Sequence, residues 1–201
     1  MTRILWGFLL TSVFYATSGA AQMPMFERIS FPVEINGANL KFPFAGGFNT
    51  PQFSEADLNH DGIQDLVIFD RSGNNLQTFL NNGTPNQVDY TYAPEFACFF
   101  PVMVDYVVMR DFNKDGAADI FTSSIAPGRQ EIQVYKGYYD GNTLKFNPYL
   151  FTHPGCSLCD PLYIYYPDED MIGDWNNLPV NPGDIPAFDD INGDGDIDII
   201  T

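Results

Sequence analysis
The sequence predicts an all-β protein, and three observations predict it. Its 18 Phe and 11 Tyr fall in short runs punctuated by 17 Gly and 15 Pro over 201 residues, the pattern of short strands joined by tight turns. A nine-residue stretch, D-x-N-x-D-G-x-x-D, occurs three times, each copy followed by an apolar run. Between copies, strand-like runs recur in fours at a spacing of roughly 40–55 residues, which is the period of a propeller blade. The expected architecture is a β-propeller-type array of four-stranded antiparallel blades, about two and a half of them, with β-hairpin loops that bind a cation.

The chain begins with Met1-Thr2-Arg3, an apolar stretch from Ile4 to Val13, and Ala16-Thr17-Ser18-Gly19-Ala20-Ala21. These are the three parts of a secretory signal peptide, residues 1–21. Cleavage is expected after Ala21, with Ala20 as the near alternative. The apolar core is too short to span a membrane, and no Cys lies near the cleavage site to carry a lipid. Residues 22–50 form an amino-terminal hairpin segment: Ser30 to Ile35 and Leu40 to Phe44 alternate around Asn36-Gly37, a hairpin signal.

Three repeats follow, 51–98, 99–148 and an incomplete 184–201. In the first, the predicted strands are Gln52–Ala56, Asp65–Asp70, Leu76–Asn81 and Tyr90–Tyr92. In the second they are Asp105–Arg110, Asp119–Ser123, Glu131–Tyr138 and Thr143–Phe146. The third opens with Ile185–Asp189. Loop starts lie 54 and then 79 residues apart, so the second interval holds an insertion, placed at 149–183. It carries Cys156 and Cys159, the aromatics Tyr163, Tyr165, Tyr166 and Trp175, and the acids Asp168, Glu169, Asp170 and Asp174. Long insertions in repeat folds often form a binding face; the plainer expectation is a disulfide-tied surface loop that packs its own aromatics.

Oxygen ligands at alternate positions, with a glycine sixth for a sharp turn, suit a hard cation such as calcium. The predicted ligands are Asp57, Asn59, Asp61, the Ile63 carbonyl and Asp65 in the first loop. They are Asp111, Asn113, Asp115, the Ala117 carbonyl and Asp119 in the second, and Asp190, Asn192, Asp194, the Asp196 carbonyl and Asp198 in the third. Three carboxylates held this close repel strongly without a cation. A solvated acidic turn is the competing reading, because turns favour these residues anyway; three copies in one register weaken it. An EF-hand is excluded, since position twelve is Ile68, Thr122 and Thr201 instead of a bidentate Glu, and the flanks read as strands.

The stretch from Pro51 to Leu66 resembles an FG-GAP/VCBS repeat, as do Arg110–Phe121 and Phe188–Ile200, and Ile125-Ala126-Pro127-Gly128 echoes its "GAP" element. The likeness extends over roughly residues 45–201. Such repeats build the propeller heads of integrin α subunits and parts of large secreted bacterial proteins. Asp70-Arg71-Ser72-Gly73-Asn74 is similar to the wording of exported surface proteins of Gram-negative bacteria. The resemblance implies calcium in each repeat and membership of a set that includes adhesins, lectin-like modules and parts of polysaccharide-degrading enzymes. A closed propeller needs at least four blades, so the chain is expected to be the amino-terminal part of a longer protein.

The formal net charge is −17, and much of it sits in the nine aspartates predicted to ligate through their side chains. Such acidity repels nucleic-acid phosphates and anionic membranes. In an exported protein Cys156 and Cys159 suit a small disulfide with Cys98 free, and Cys98 paired with either is equally permitted; zinc would need more ligands than these. No G-x-S-x-G elbow occurs. His60, at a loop position expected to face solvent, and His153 lack an evident Ser or Cys partner. The leading reading is a secreted or cell-surface, non-catalytic adhesion or binding scaffold with about three structural calcium ions and an extracellular protein or glycan ligand. The alternative is part of a secreted polysaccharide lyase or hydrolase, whose paired carboxylates would come from the same acidic stock.

Overall fold
Alternation along single strands explains how the sheets stack. A computed structural model describes residues 31–167, 174–181 and 183–201. The chain divides at Phe31/Pro32, and everything below concerns the unit from Pro32 to Thr201. The expected signal peptide, Ser30 at the start of the first expected strand, and the insertion acids Asp168, Glu169 and Asp170 lie outside the described residues. Among the described residues no helix is long and apolar enough to cross a membrane.

A short hairpin, β1 (Glu34–Ile35) and β2 (Ala38–Asn39), turns at Asn36-Gly37 as expected. It is shorter than the alternation suggested: Leu40–Phe44 is not a strand. The first large sheet is the antiparallel meander β3 (Pro51–Ala56), β4 (Asp65–Asp70), β5 (Asn75–Asn81) and β6 (Tyr90–Tyr92). A single 3-10 turn, Pro94–Phe99, follows with proline at its start; the sequence reading did not anticipate it. The second large sheet repeats the meander with β7 (Val107–Arg110), β8 (Asp119–Ser123), β9 (Ile132–Asp140) and β10 (Thr143–Pro148). The expected strand from Asp105 starts late because Asp105 has φ +65, which breaks extended pairing. Strand β9 starts one residue later than expected and ends two residues later.

The insertion contains a pair that sequence reading did not place, β11 (Tyr165–Pro167) and β12 (Trp175–Asn177). The third repeat begins with β13 (Ala187–Asp189), two residues later than expected, and β14 (Asp198–Ile200). Among the described residues the chain is all-β apart from the 3-10 turn, in several antiparallel sheets.

The second sheet is covered on both faces. Met109, Ile120, Tyr135 and Leu144 join Val67 and Phe69 of the first sheet in one apolar cluster. The neighbours of opposite parity, Phe121, Ile132 and Val134, join Val180 and Phe188 in a second cluster. This is why β8 is buried along its whole length, since successive side chains point to opposite faces.

Candidate metal-binding loops
Each repeated motif is the hairpin connection between two paired strands, as expected: β3 to β4, β7 to β8, and β13 to β14. The fourth position of every loop has positive φ, in His60, Lys114 and Gly193, and so does the sixth, in Gly62, Gly116 and Gly195. The sixth-position values are +84, +89 and +96, a region where a Cβ is strained and glycine is not. The double reversal turns backbone N–H groups and side-chain oxygens toward the inside of one small loop.

In the first loop Asp57 accepts from Asp61 N at 3.0 Å and from Gly62 N at 2.8 Å. Asn59 Oδ1 accepts from the same Asp61 N at 3.2 Å, and Asp61 Oδ1 accepts from Ile63 N at 2.8 Å. The second loop repeats this. Asp111 accepts from Asp115 N (3.1 Å) and Gly116 N (2.8 Å), Asn113 Oδ1 from Asp115 N (3.0 Å), and Asp115 Oδ1 from Ala117 N (3.1 Å). In the third, Asp190 accepts from Gly193 N (2.7 Å) and Gly195 N (2.9 Å), Asn192 Oδ1 from Asp194 N (2.8 Å), and Asp194 Oδ1 from Asp196 N (2.9 Å).

The ninth-position aspartates fasten the loops to the sheets. Asp65 accepts from Leu58 N at 2.8 Å and, on its other oxygen, from Asn81 N of β5 at 2.7 Å. Asp119 does the same with Phe112 N at 3.0 Å and Gly137 N of β9 at 2.8 Å. Asp198 accepts from Ile191 N at 2.9 Å. Asp65 and Asp119 are 1% and 0% exposed, whereas Asp198, on a two-stranded ladder, is half-buried. Burial pushes the Asp119 carboxyl up to about 6 and raises that of Asp65, against the N–H bonds that favour the ions; the neighbouring aspartates add to the rise. A carboxylate that is desolvated and crowded by its own kind is what a bound cation relieves.

Other groups reach the loops from neighbouring strands, and sequence reasoning missed them. Tyr139 of β9 donates its hydroxyl to Asp57 O at 3.0 Å, and its ring lies flat on His60, centroids 3.9 Å apart. His60 is exposed, as expected of its loop position, and the stacking on Tyr139 covers one face of its ring. Leu144 N donates to Leu58 O at 3.1 Å, so β9 and β10 of the second sheet hold the loop of the first. Lys136 Nζ lies 2.9 Å from Asp115 Oδ2, and Lys114 Nζ donates to Gly195 O of the third loop. Between the first two loops lies a polar cleft of about 450 Å³ lined by Glu55, Asp57, Gln64, Arg110 and Asp111.

Among the described residues no group of three or more His, Cys, Asp or Glu side chains converges as a metal cluster. The reason is visible in the bonds above: the carboxylates are turned onto N–H groups, and the predicted sets also draw on an amide and a carbonyl. The seventh residues Ile63, Ala117 and Asp196 follow each turn, where each N–H meets the fifth-position carboxylate. The donors are nonetheless all oxygen. In the first two loops, first- and third-position oxygens share one N–H, which brings them to the same point. Such a set fits a hard divalent cation.

The insertion is tied down by a Cys156–Cys159 disulfide, and Cys98 is free and exposed. Its His153 ring packs among Phe151, Tyr165 and Trp175. Bridges join Glu131 to Pro179 and Gln133 to Tyr163, and the Tyr163 hydroxyl lies 3.0 Å from Ser124 Oγ. The segment therefore packs its aromatics against itself and the second sheet.

An FG-GAP-like repeat family model matches residues 57–122, from the first residue of the first loop to the last but one of β8. No curated protein and no solved structure matches the chain.

Proposed function
Taking as premise that this chain carries an FG-GAP-like repeat over residues 57–122, we propose that it is an exported, non-catalytic binding scaffold. In this reading its hairpin loops hold structural calcium, and its four-stranded sheets are consecutive propeller blades. The observation that carries the proposal is the repetition of one hydrogen-bonding scheme, with all-oxygen donors, in loops 54 and 79 residues apart. A solvated turn does not require a buried ninth-position aspartate bridging two strands. Export is supported by the pattern of residues 1–21 and by the disulfide, since disulfides persist in oxidising compartments. An extracellular protein or glycan is the proposed ligand, because the acidity disfavours nucleic acid.

When bound, calcium would neutralise the clustered carboxylates. Asp57, Asn59, Asp61 and Asp65 would hold it in the first loop, and Asp190, Asn192, Asp194 and Asp198 in the third. The chain's own residues do the rest: Asp65 pins the hairpin to β5, and Tyr139 caps it from the adjoining sheet. Affinity is expected on the order of 10⁻⁴ to 10⁻³ M, the range of extracellular modules.

The test is thermal melting of the full chain in calcium and in chelator. At ten times Kd each site adds about 1.4 kcal/mol, or about 3–6 °C for a unit of this size. The rise is expected to shrink when Asp61 or Asp194 is changed singly to Ala. A folded chain with one melting temperature in both conditions would reduce the loops to acidic turns.

A further inference from the structure
The three loops share most of one backbone scheme, the third differing in that Asp190 accepts from Gly193 N, and they differ also in what meets the second oxygen of the fifth-position aspartate. In the first loop it is a neutral amide, Asn59 Nδ2 on Asp61 Oδ2 at 2.8 Å. The third loop is the same, Asn192 Nδ2 on Asp194 Oδ2 at 3.0 Å. In the middle loop the place is taken by an ammonium, Lys136 Nζ at 2.9 Å from Asp115 Oδ2. The Asn113 amide still helps to hold the Asp115 carboxyl down, but its buried Nδ2 makes no close hydrogen bond of the kind seen in the other two loops.

Strand register shows what the lysine replaces. Ile120 pairs with Tyr135 in the second sheet as Leu66 pairs with Phe79 in the first. One residue further along, Lys136 therefore stands where the first sheet has Leu80. One further still, Gly137 and Asn81 each donate N–H to the ninth-position aspartate. Leu80 packs against the apolar core and brings no charge to its loop. Lys136 brings one.

We propose that the middle loop is closed by the Lys136 ammonium in place of a metal ion, so that only the first and third loops take up calcium. This rests on the calcium reading above. A divalent ion that used Asp115 as a ligand would meet a positive charge already in contact with one oxygen of that carboxylate, and like charges at such range repel. Calcium affinity also falls with the negative charge that a site supplies, and the lysine cancels one of three carboxylates. Lys114 acts on the third loop's carboxylates only through space, its charge favouring the Asp194 carboxylate without touching it. It bonds the Gly195 carbonyl, outside the predicted ligand set, and leaves Asp190, Asn192 and Asp194 their oxygens.

The experiment is calorimetric titration of the calcium-stripped full chain with calcium chloride, read as stoichiometry. Two equivalents are expected for the wild type, one for D61A, one for D194A, and still two for D115A. Lys136→Leu, which installs the first sheet's residue, should raise uptake to three, and K136L with D115A should return it to two. Three equivalents in the wild type with one lost in D115A would overturn the lysine closure and leave the calcium reading standing. An unchanged count in folded K136L would overturn it as well. No uptake by any chain would sink the calcium reading and the distinction between loops together. Should K136L fail to fold, the wild-type and D115A counts decide.

Discussion

Gly137 and Asn81 occupy equivalent places, each donating its N–H to a buried aspartate, yet only one has a side chain. A Cβ on Gly137 would lie 2.2 Å from the Ala118 carbonyl oxygen and 3.1 Å from its carbon. Asn81 instead uses its amide to bond the corresponding carbonyl, Gln64 O, at 3.1 Å. The second hairpin is thus drawn closer to its third strand than the first, and backbone, which yields less than a side chain, is what a larger residue would meet. Gly137→Ala is expected to cost at least the roughly 1–3 kcal/mol typical of overpacking, because the shift also loosens the bond to Asp119. Urea unfolding of the two chains in chelator measures it. A variant within about 0.5 kcal/mol of the wild type would show that the strands can part without cost.

At the scale of elements, the β5–β6 turn is organised by a carboxylate outside the three repeated loops. Asp89 accepts from Lys41 Nζ at 2.5 Å, Thr84 Oγ1 at 2.7 Å and Asn82 Nδ2 at 3.0 Å. Lys41 first, then Thr84 and Asn82, hold its carboxyl down from 3.8 to about 2. A carboxyl lower in the folded than in the unfolded chain stabilises fully above its unfolded value, and that stability is lost as pH falls through the folded one. The melting difference between wild type and Asp89→Asn should therefore be constant above about pH 4–5 and close toward pH 2. A difference that persists unchanged at pH 2 would assign it to packing instead. The strands around this turn were legible because Gly, Asn and Pro bracket apolar runs, and the loops because a nine-residue motif repeats. The places of the loop aspartates and asparagines were legible for the same reason. What meets them was not. Lys136 lies 21 positions beyond Asp115, and only strand register joins the two. Tyr139 reaches the first loop from another sheet. The 3-10 turn at Pro94–Phe99 is carried by aromatic residues that also read as strand, and the insertion's short pairs depend on tertiary contacts that no local period announces.

Over the whole molecule, 26 acidic residues face 9 basic ones, so calcium has two ways to stabilise the chain: as an ion held in the loops, or as a diffuse counter-ion to a net charge of −17. The two differ in range. Sodium chloride at about 0.5 M shortens the Debye length to roughly 4 Å, enough to quench repulsion between aspartates on different sheets. It does little inside a loop, where Asp57 and Asn59 oxygens share a single N–H. Sodium chloride is therefore expected to raise the melting temperature in chelator by damping the general repulsion. The further increment from millimolar calcium should survive at high salt, because a few millimolar calcium adds almost nothing to ionic strength and acts within the loops. Melting curves with and without calcium at about 0.05 and 0.5 M sodium chloride separate the cases. If high salt erases the calcium increment, the loops are not sites and the stabilisation belongs to the overall charge; if the increment is preserved and is lost in Asp61→Ala with Asp194→Ala, the charge of the molecule is background and the hairpins hold the ions.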